Sequence, residues 1–271
     1  MNGLDHIQEA FNQARAEGRA ALMPYYTLGF PDKVTSIEVV EAVARAGADL
    51  IELGIPFSDP LADGPVIQHS THVALEHGAS VGGCLELVEK LRQQDVAQPL
   101  LLMGYYNPIL AYGVRRFVAA AKQAGADGFI VPDLPLEEAL EMEAQCQAQQ
   151  LALVYLLAPT STPERAAQIA QRTTGFLYLV SLTGVTGVRD SLAEGLEGFI
   201  RRVRQQAKTP VAVGFGISNP QQAAQVGRLA DGVIVGSALI KTVEAAQNPA
   251  SAAADFVKNL RLALDTRPEL I

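Results

Sequence analysis

The sequence predicts an α/β fold, namely a (β/α)8 TIM barrel with an extra N-terminal helix, as a single domain over residues 1–271. Three observations predict it. Short apolar segments alternate with amphipathic helical segments along the chain, and eight such units can be counted. No linker rich in Gly, Ser or Pro divides the chain, whose length suits the roughly 250 residues of one such barrel. A doubly wound open sheet is the alternative, but no GxGxxG follows the first strand.

Each apolar segment is brief, rich in Val, Ile, Leu and Tyr, and bounded by Gly, Pro or Ser, as expected for a parallel strand covered on both faces. The predicted strands are residues 22–29, 49–54, 99–105, 127–133, 151–159, 175–181, 210–216 and 231–237. Helical patterns between them include residues 36–48, 114–126, 136–150 and 163–174.

Both ends of the chain carry further helical patterns. Leu4, Ile7 and Phe11 stand at helical spacing, which predicts an extra helix packed on the barrel. Residues 251–264 predict a closing helix.

Three helices are followed by similar junctions, "ARAGADL", "AKQAGADG" and "GRLADG". A glycine after the last helical turn can adopt the left-handed conformation that ends a helix. We therefore expect these junctions to be a weak internal repeat that leads each helix into the next strand.

Composition excludes several classes of protein. The net charge of −8 argues against a nucleic-acid surface, and no apolar stretch reaches the ~18 residues of a membrane span. Cys84 and Cys146 have neither metal nor redox spacing, so we expect buried thiols on helices. The N-terminus lacks a signal-peptide pattern. A cytoplasmic location is expected, or an organelle stroma if a transit peptide was removed.

The stretch "DLIELGIPFSDPLADGP" (residues 49–65) carries the first candidate for chemistry. Strand side chains alternate, so Leu50, Glu52 and Gly54 share one face, and the apolar face opposite suits the helices. Glu52 is therefore predicted to point into the barrel near its upper rim. Such a carboxylate must be paired, protonated or open to a pocket, and a raised pKa would suit acid/base chemistry. A structural Glu bonded to a neighbouring strand is the alternative.

Asp59 and Asp63 follow in the loop. Asp-Pro and Asp-Gly are turn formers, so each aspartate alone is explained as well by a turn as by chemistry. A metal site is not predicted, because no histidine lies beside them and the four histidines fall in helical or N-terminal segments.

Glycine-rich loops carry the second signal. "TGVTG" (183–187), "GFGISNP" (214–220) and "GS" (236–237) follow three successive predicted strands. Loops after the seventh and eighth strands commonly bind phosphate in this fold. Ser218 or Asn219 with Pro220 predicts the start of a helix. Apolar and aromatic residues also stand at strand ends, and together with phosphate they suggest a substrate with a flat ring and a phosphorylated tail: Tyr25, Tyr105, Ile130, Tyr178 and Phe215.

Residues 50–68 ("LIELGIPFSDPLADGPVIQ") closely resemble the signature motif of the tryptophan synthase alpha subunit family. "YLVSLTGVTG" (178–187) and "VGFGIS" (213–218) resemble its sixth and seventh loop motifs, in the right order and spacing. The resemblance covers the whole chain.

The resemblance implies retro-aldol cleavage of indole-3-glycerol phosphate to indole and glyceraldehyde 3-phosphate. It assigns Glu52 as general acid/base at the indole C3 and the side-chain hydroxyl, and Asp63 as the anion that bonds the indole N–H. It implies that Tyr178 packs near Glu52, and that Tyr25, Tyr105, Ile130 and Phe215 flank the indole. The family often carries Phe where this chain has Tyr25. Phosphate would be held by backbone N–H groups at Gly187, Gly214, Gly216, Gly236 and Ser237.

The resemblance also implies a partner. Asp59 and Thr186 would belong to a mobile lid that communicates with a beta subunit, and Asn107 and Pro108 in "YYNPI" match a segment on the same face. In the α2β2 complex that the resemblance implies, the beta subunit carries pyridoxal phosphate and receives indole through a tunnel. The alpha chain itself needs no cofactor.

Other functions are considered beside this one. They are a stand-alone indole-3-glycerol phosphate lyase, an alpha-like chain that mainly activates a beta subunit, and another phosphate-binding barrel such as an isomerase. The intact Glu52 and Asp63 favour catalysis over a purely activating role.

Overall fold

Nine short parallel strands form one nearly closed barrel in the part of the chain that the computed structural model describes, residues 2–180, 195–214 and 216–265. The strands are β1 (Ala21–Thr27), β2 (Ile51–Gly54), β3 (Leu100–Met103), β4 (Gly128–Ile130), β5 (Ala152–Val154), β6 (Leu156–Leu157), β7 (Leu177–Val180), β8 (Val211–Gly214) and β9 (Gly232–Val235). Their order is β5-β4-β3-β2-β1-β9-β8-β7-β6, and every pair is parallel. β5 and β6 are the two edge strands of this order, yet only Tyr155 separates them in the chain. The sheet therefore curls round until its two edges lie close together. The predicted barrel is confirmed.

The predicted strand at residues 151–159 is wrong in one respect, because it is broken at Tyr155. The backbone N–H groups of Leu153 and Tyr155 donate to the hydroxyl oxygens of Thr174 and Thr173, at 2.8 and 3.1 Å. These side chains take the place of carbonyl partners on a neighbouring strand, so the regular ladder is interrupted. The eight predicted strands therefore appear as nine.

Helices surround the barrel. They are α1 (Gly3–Ala16), α2 (Lys33–Arg45), α3 (Pro65–Glu76), α4 (Val81–Gln93), α5 (Tyr106–Tyr112), α6 (Val114–Ala124), α7 (Leu140–Gln149), α8 (Pro163–Arg172), α9 (Leu196–Arg204), α10 (Pro220–Gly227), α11 (Ser237–Glu244) and α12 (Pro249–Asp265). The predicted helix at 136–150 begins as a separate 3-10 turn, Leu136–Glu138. Of the two predicted caps, Ser218 and Asn219, it is Asn219 that caps α10, by accepting from the Gln222 N–H.

The predicted N-terminal helix is confirmed as α1, and it covers the end of the barrel where the strands begin. Ile7 and Phe11 are buried in the core inside the barrel. The Phe11 ring lies 5.7 Å from that of Phe176. A Cβ on Gly232 would lie 3.1 Å from the Phe11 ring, so the glycine makes room for this contact.

The alternation predicted for β2 is also confirmed. Leu50 belongs to the core inside the barrel, whereas Ile51, Leu53 and Ile55 belong to the core between the barrel and the helices. Glu52 therefore faces inward.

The repeated Ala-Asp junctions have a shared structural role that the sequence did not show. Asp49, Asp127 and Asp231 each precede a strand and accept a backbone N–H from the start of a neighbouring strand, at 2.8, 2.9 and 2.9 Å. Each also accepts from an arginine, respectively Arg19, Arg92 and Arg204. The junctions thus hold the beginnings of adjacent strands in register.

The glycines of these junctions behave differently from one another. Gly47 and Gly125 have φ of 108° and 96°, as expected for residues that end helices. The expectation is wrong for Gly227, which lies within α10. A Cβ there would lie 2.6 Å from the Leu264 side chain, so this glycine serves the packing of α12.

The outer helices pack on one another and on the strands. α12 packs against α2, α10 and α11. Cys84 on α4 and Cys146 on α7 are both buried free thiols, as predicted. Within the described ranges, the helices lack the length and apolar character needed to cross a membrane.

Candidate active site

The candidate residues from β1, β2 and β7 and from the loops after β2 and β3 converge at the carboxyl ends of the strands. Tyr25 and Glu52 are paired positions on adjacent strands. Tyr25, Asp63 and Tyr105 line one narrow pocket. Tyr178 is buried, and burial raises the pKa of its hydroxyl well above the usual value, with the nearby carboxyl groups of Glu52 and Asp63 acting in the same direction. In this fold, catalytic sites lie at this end of the barrel.

Glu52 is a buried acid, and the part of the chain that the structure describes brings no counter-charge to it. Glu52 is 0% exposed to solvent, and neither of its carboxyl oxygens has a hydrogen-bond partner among residues 2–180, 195–214 and 216–265. Burial raises its pKa well above the usual value of 4.5. Burial thus favours the neutral, protonated form of this carboxyl group, which has a proton to give to a substrate.

Asp63 is placed by Tyr105. The Tyr105 hydroxyl donates to Asp63 Oδ2 at 3.0 Å and accepts the backbone N–H of Ala62 at 2.9 Å. Burial raises the pKa of Asp63 to about 6, while the hydrogen bond from Tyr105 acts in the opposite direction. Asp63 is therefore mostly ionised at neutral pH. The surroundings thus favour the protonated form of Glu52 and leave Asp63 mostly ionised.

The loop between β2 and α3 is built from turns. The Leu61 N–H donates to the Asp59 carbonyl, and the Asp63 N–H donates to the Pro60 carbonyl at 3.0 Å. The Asp59 side chain accepts from the Ser58 hydroxyl and is exposed. Asp59 is therefore not brought to the pocket, in contrast to Asp63.

Two tyrosines close the top of the barrel over two glycines. A Cβ on Gly54 would lie 2.1 Å from the Tyr25 hydroxyl oxygen, and one on Gly214 would lie 2.3 Å from that of Tyr178. Any side chain at either glycine would thus displace a ring. Each tyrosine extends over the end of the next strand, β2 for Tyr25 and β8 for Tyr178.

Part of the expected phosphate site lies at the ends of β8 and β9. Gly214 ends β8, and Gly216 has φ of 83°, a conformation that favours glycine. Gly236 precedes α11 without a side-chain cap, and Ser237 begins that helix and is exposed. The first N–H groups of a helix lack partners within it and attract anions. Gly187, Thr186 and Phe215 lie outside the described residues.

The expected partner segment lies on the same end of the barrel. Asn107 is exposed and Pro108 half-buried in α5, whose first N–H group, from Tyr106, donates to Asp133 at 2.9 Å. Two apolar side chains are exposed on these segments. Leu61, in the loop between β2 and α3, is 93% exposed, and Leu110, in α5, is 49% exposed.

Several pocket residues were missed by sequence reasoning. The pocket beside Asp63 is also lined by residues that the sequence did not single out: Ile55, Phe57, Pro60, Thr71, Met103, Gly104 and Pro132. The predicted Ile130 instead lies fully buried in the core inside the barrel. The Phe57 ring lies 5.4 Å from that of Tyr105. Phe57 stands within the quoted motif, so its position there was the available signal. Thr71 had none, because it lies in an ordinary helical pattern.

A larger cleft, about 820 Å3, lies at the opposite end of the barrel between α1, α4 and α6. Its main polar groups are bonded to one another, since His6 and Arg92 both contact Asp127. We assign it a structural role for that reason. Over the described ranges no cluster of three His, Cys, Asp or Glu side chains is arranged to hold a metal ion.

Comparisons with known proteins agree on one family. The family model described as "Tryptophan synthase alpha chain" matches residues 11–266. A tryptophan synthase alpha chain from Chloroflexus aurantiacus is 52% identical over 259 residues, covering 95% of this chain and 97% of the relative. The crystal structure of a tryptophan synthase alpha chain from Legionella pneumophila is similar with a TM-score of 0.90 and 38% identity, covering 100% of both chains. A Mycobacterium tuberculosis tryptophan synthase structure is similar at 0.89 and 36%, covering 96% and 98%.

Proposed function

This chain belongs to the tryptophan synthase alpha chain family, and on that premise we propose how its residues carry out the reaction. It is a carbon–carbon lyase that cleaves indole-3-glycerol phosphate to indole and glyceraldehyde 3-phosphate. We assign the proton transfers to Glu52 and the stabilisation of positive charge to Asp63. The observation that carries this assignment is a fully buried Glu52 without a hydrogen-bond partner in the described residues, near an Asp63 held by Tyr105.

The cleavage needs a net transfer of one proton. Glu52 in its acid form protonates the indole C3, which turns the ring into an indoleninium ion and prepares C3 as a leaving group. Glu52, now a carboxylate, takes the proton from the hydroxyl on the carbon attached to C3. That carbon becomes the aldehyde as its bond to C3 breaks, and the bond's electron pair neutralises the ring. Glu52 ends in the protonated form in which it began, consistent with its raised pKa.

Asp63 acts on the other side of the ring. When C3 is protonated, positive charge develops on the ring nitrogen, and a nearby carboxylate that accepts the N–H stabilises it. Asp63 suits this role because it is mostly ionised at neutral pH and its position is fixed by the 3.0 Å bond from Tyr105. The other contacts with the indole ring, through Tyr25, Ile130, Tyr178 and Phe215, are part of the same proposal.

The phosphate of the substrate is assigned to the glycine loops. Gly214, Gly216, Gly236 and Ser237 would hold it through backbone N–H groups, with Gly187 from the loop after β7. The uncapped start of α11 supports this assignment.

We further propose a beta subunit as the partner in an α2β2 complex, with pyridoxal phosphate on the beta subunit and none on this chain. Asp59, Thr186, Asn107 and Pro108 would belong to the lid and to the contact with that subunit. The exposed Asn107 and Leu110 on α5 support a contact on this face. A cytoplasmic location, suggested by the bacterial relatives, and a single domain over residues 1–271 complete the proposal.

The test is direct. The chain is incubated with indole-3-glycerol phosphate, with and without a beta subunit, and free indole is followed. We expect indole release by the chain alone and faster release with the beta subunit. A chain that releases no indole in either case would contradict the assignment of the reaction to this site.

A further inference from the structure

A chain of buried hydroxyl groups holds the Tyr25 side chain. The Tyr25 hydroxyl oxygen lies 3.4 Å from Thr27 Oγ1, which lies 2.7 Å from Ser70 Oγ. The Ser70 hydroxyl donates to the carbonyl oxygen of Ile67 at 2.9 Å. Thr27 and Ser70 are both fully buried. The chain therefore runs from β1 into α3 away from solvent.

The direction of each hydrogen bond follows from the number of protons. A hydroxyl has one hydrogen to donate and two lone pairs that accept. Ser70 donates its hydrogen to the Ile67 carbonyl, so it accepts from Thr27. Thr27 thus donates to Ser70 and accepts from Tyr25. Tyr25 directs its only hydrogen toward Thr27 and presents lone pairs to the site.

The Tyr25 ring spans two parts of the site. Its Cβ and Cδ1 atoms lie against Gly236, where a Cβ would be 3.4 and 3.3 Å away, and its hydroxyl oxygen lies over Gly54. Tyr25 and Asp63 line the same pocket. One end of the ring thus faces the expected phosphate loop, and the other end brings an acceptor oxygen into the pocket that also contains the Asp63 carboxylate.

We propose that Tyr25 is a specificity-determining residue: its hydroxyl oxygen and the Asp63 carboxylate share the single N–H hydrogen of a flat bicyclic ring and so select a ring that carries this group. A ring of the same shape without that hydrogen would bring no donor to either acceptor. The Tyr25 oxygen would then be desolvated without a donor, and the Asp63 carboxylate would keep only its bond from Tyr105, so the pocket rejects such an analogue. The proposal rests on the proposed function and deepens it, since it assigns a role to a hydroxyl that a phenylalanine would lack.

Two probes separate ring recognition from catalysis. They are 3-(indol-3-yl)propyl phosphate and 3-(benzothiophen-3-yl)propyl phosphate, in which sulfur replaces the N–H. Neither can be cleaved by the retro-aldol route, because the carbon attached to the ring has no hydroxyl. Their dissociation constants are measured by titration calorimetry on the full chain and on three variants.

Tyr25→Phe removes the acceptor and keeps the ring. We expect it to weaken binding of the indole probe by about fivefold to tenfold, the value of one hydrogen bond, and to leave the benzothiophene probe within about twofold. Thr27→Val keeps Tyr25 but releases its hydrogen, so it should reduce the preference for the indole probe in the same direction. A purely structural role for Thr27 would weaken both probes alike.

The matched control is Tyr26→Phe. Tyr26 neighbours Tyr25 on β1 and is buried, and its hydroxyl donates to the Phe30 carbonyl at 2.8 Å, but strand side chains alternate, so it lies on the opposite face of β1. Its loss should leave the preference between the probes unchanged. An equal loss of affinity for both probes in Tyr25→Phe would overturn the role of the hydroxyl. The proposed function is tested separately, by the release of indole from indole-3-glycerol phosphate by the same wild-type preparation. Indole release would support that function whether or not the Tyr25 hydroxyl has the proposed role.

Discussion

Residues 61–64 and residues 229–232 have the same sequence, Leu-Ala-Asp-Gly, at opposite ends of the barrel. Asp231 lies where strands begin and accepts the Val211 N–H at 2.9 Å and Arg204 at 2.6 Å. Asp63 lies where strands end and accepts from the neutral Tyr105 hydroxyl. The same tetrapeptide thus places one carboxylate in a charged pair and the other in a pocket where burial raises the pKa to about 6.

The difference extends to the other acids at each end. Asp49 and Asp127, at the beginnings of strands, are each bonded to an arginine and to a backbone N–H. Glu52, at the end of β2, has no such partner among the residues that the structure describes. Paired carboxylates stabilise the fold, whereas a buried unpaired acid costs stability and keeps a proton available for chemistry. The two ends of this barrel therefore separate stability from reactivity.

The largest expected effect comes from removing the acids of the reactive end. Glu52→Gln or Asp63→Asn should reduce indole release by about 10²–10⁴-fold, the range for losing an acid/base or a charge-stabilising group. Both variants should remain folded and bind phosphate. The check is steady-state turnover of indole-3-glycerol phosphate with circular dichroism as the control for folding. Turnover at the parental rate in either variant would break the comparison at its reactive end.

Asp231→Ala should have the opposite effect. It leaves the buried Val211 N–H without an acceptor, so the free energy of unfolding should fall by about 1–3 kcal/mol, while turnover per folded molecule stays near the parental value. Denaturant titration measures this. The matched control is Glu86→Ala, an exposed acid on α4, which should change stability by less than about 0.5 kcal/mol. A loss of turnover in folded Asp231→Ala would contradict a purely structural role.

The stability of Glu52→Gln should sharpen the contrast through its pH dependence. Well below pH 4.5 both folded and unfolded wild-type chains carry the Glu52 proton, so this acid costs nothing there. As pH rises, the unfolded chain ionises first, because burial raises the pKa only in the folded protein, and wild-type stability falls. Glu52→Gln removes this loss, so its advantage in thermal unfolding should grow from pH 5 upward. For Asp63→Asn the smaller gain should develop between pH 3.8 and about 6 and then level off. A variant less stable than wild type at every pH would argue that Glu52 is paired.

The smallest expected effect tests how Asp63 is held. Tyr105→Phe removes the hydrogen bond that favours the ionised form, so the pKa of Asp63 should rise above about 6. The acidic limb of the kcat/KM profile should move upward by about one pH unit, because a hydrogen bond to a charged group is worth about 1.5 kcal/mol or more. Tyr26→Phe, on the opposite face of β1, serves as control. An unchanged acidic limb would mean that a different group sets it.

Much of the fold follows from local features of the sequence. The alternation in residues 50–55 was enough to place Glu52 inside the barrel, and chain connectivity placed Asp63 in the loop that β2 feeds. Ser218 or Asn219 with Pro220 predicted the start of α10, and Asn219 is its cap. These features depend on neighbours within a few residues, so the sequence contains them directly.

The interruption of the fifth predicted strand at Tyr155 could not be found in the same way. It depends on the hydroxyls of Thr173 and Thr174, nearly twenty residues away, which occupy the N–H groups of Leu153 and Tyr155. Likewise, Gly54 and Gly214 look like ordinary strand ends in the sequence, but each accommodates a tyrosine from the preceding strand of the barrel. Such contacts depend on register between strands.

The sequence by itself therefore determined the barrel, the inward direction of Glu52 and, through its resemblance to a known family, the reaction. Only the tertiary structure decided which acids are paired. Asp63 and Asp231 are the same residue in the same tetrapeptide, and an arginine reaches one while a tyrosine hydroxyl reaches the other. The charge state of a carboxylate depends on desolvation and on partners that lie far away in the chain, and the fold alone brings these into contact.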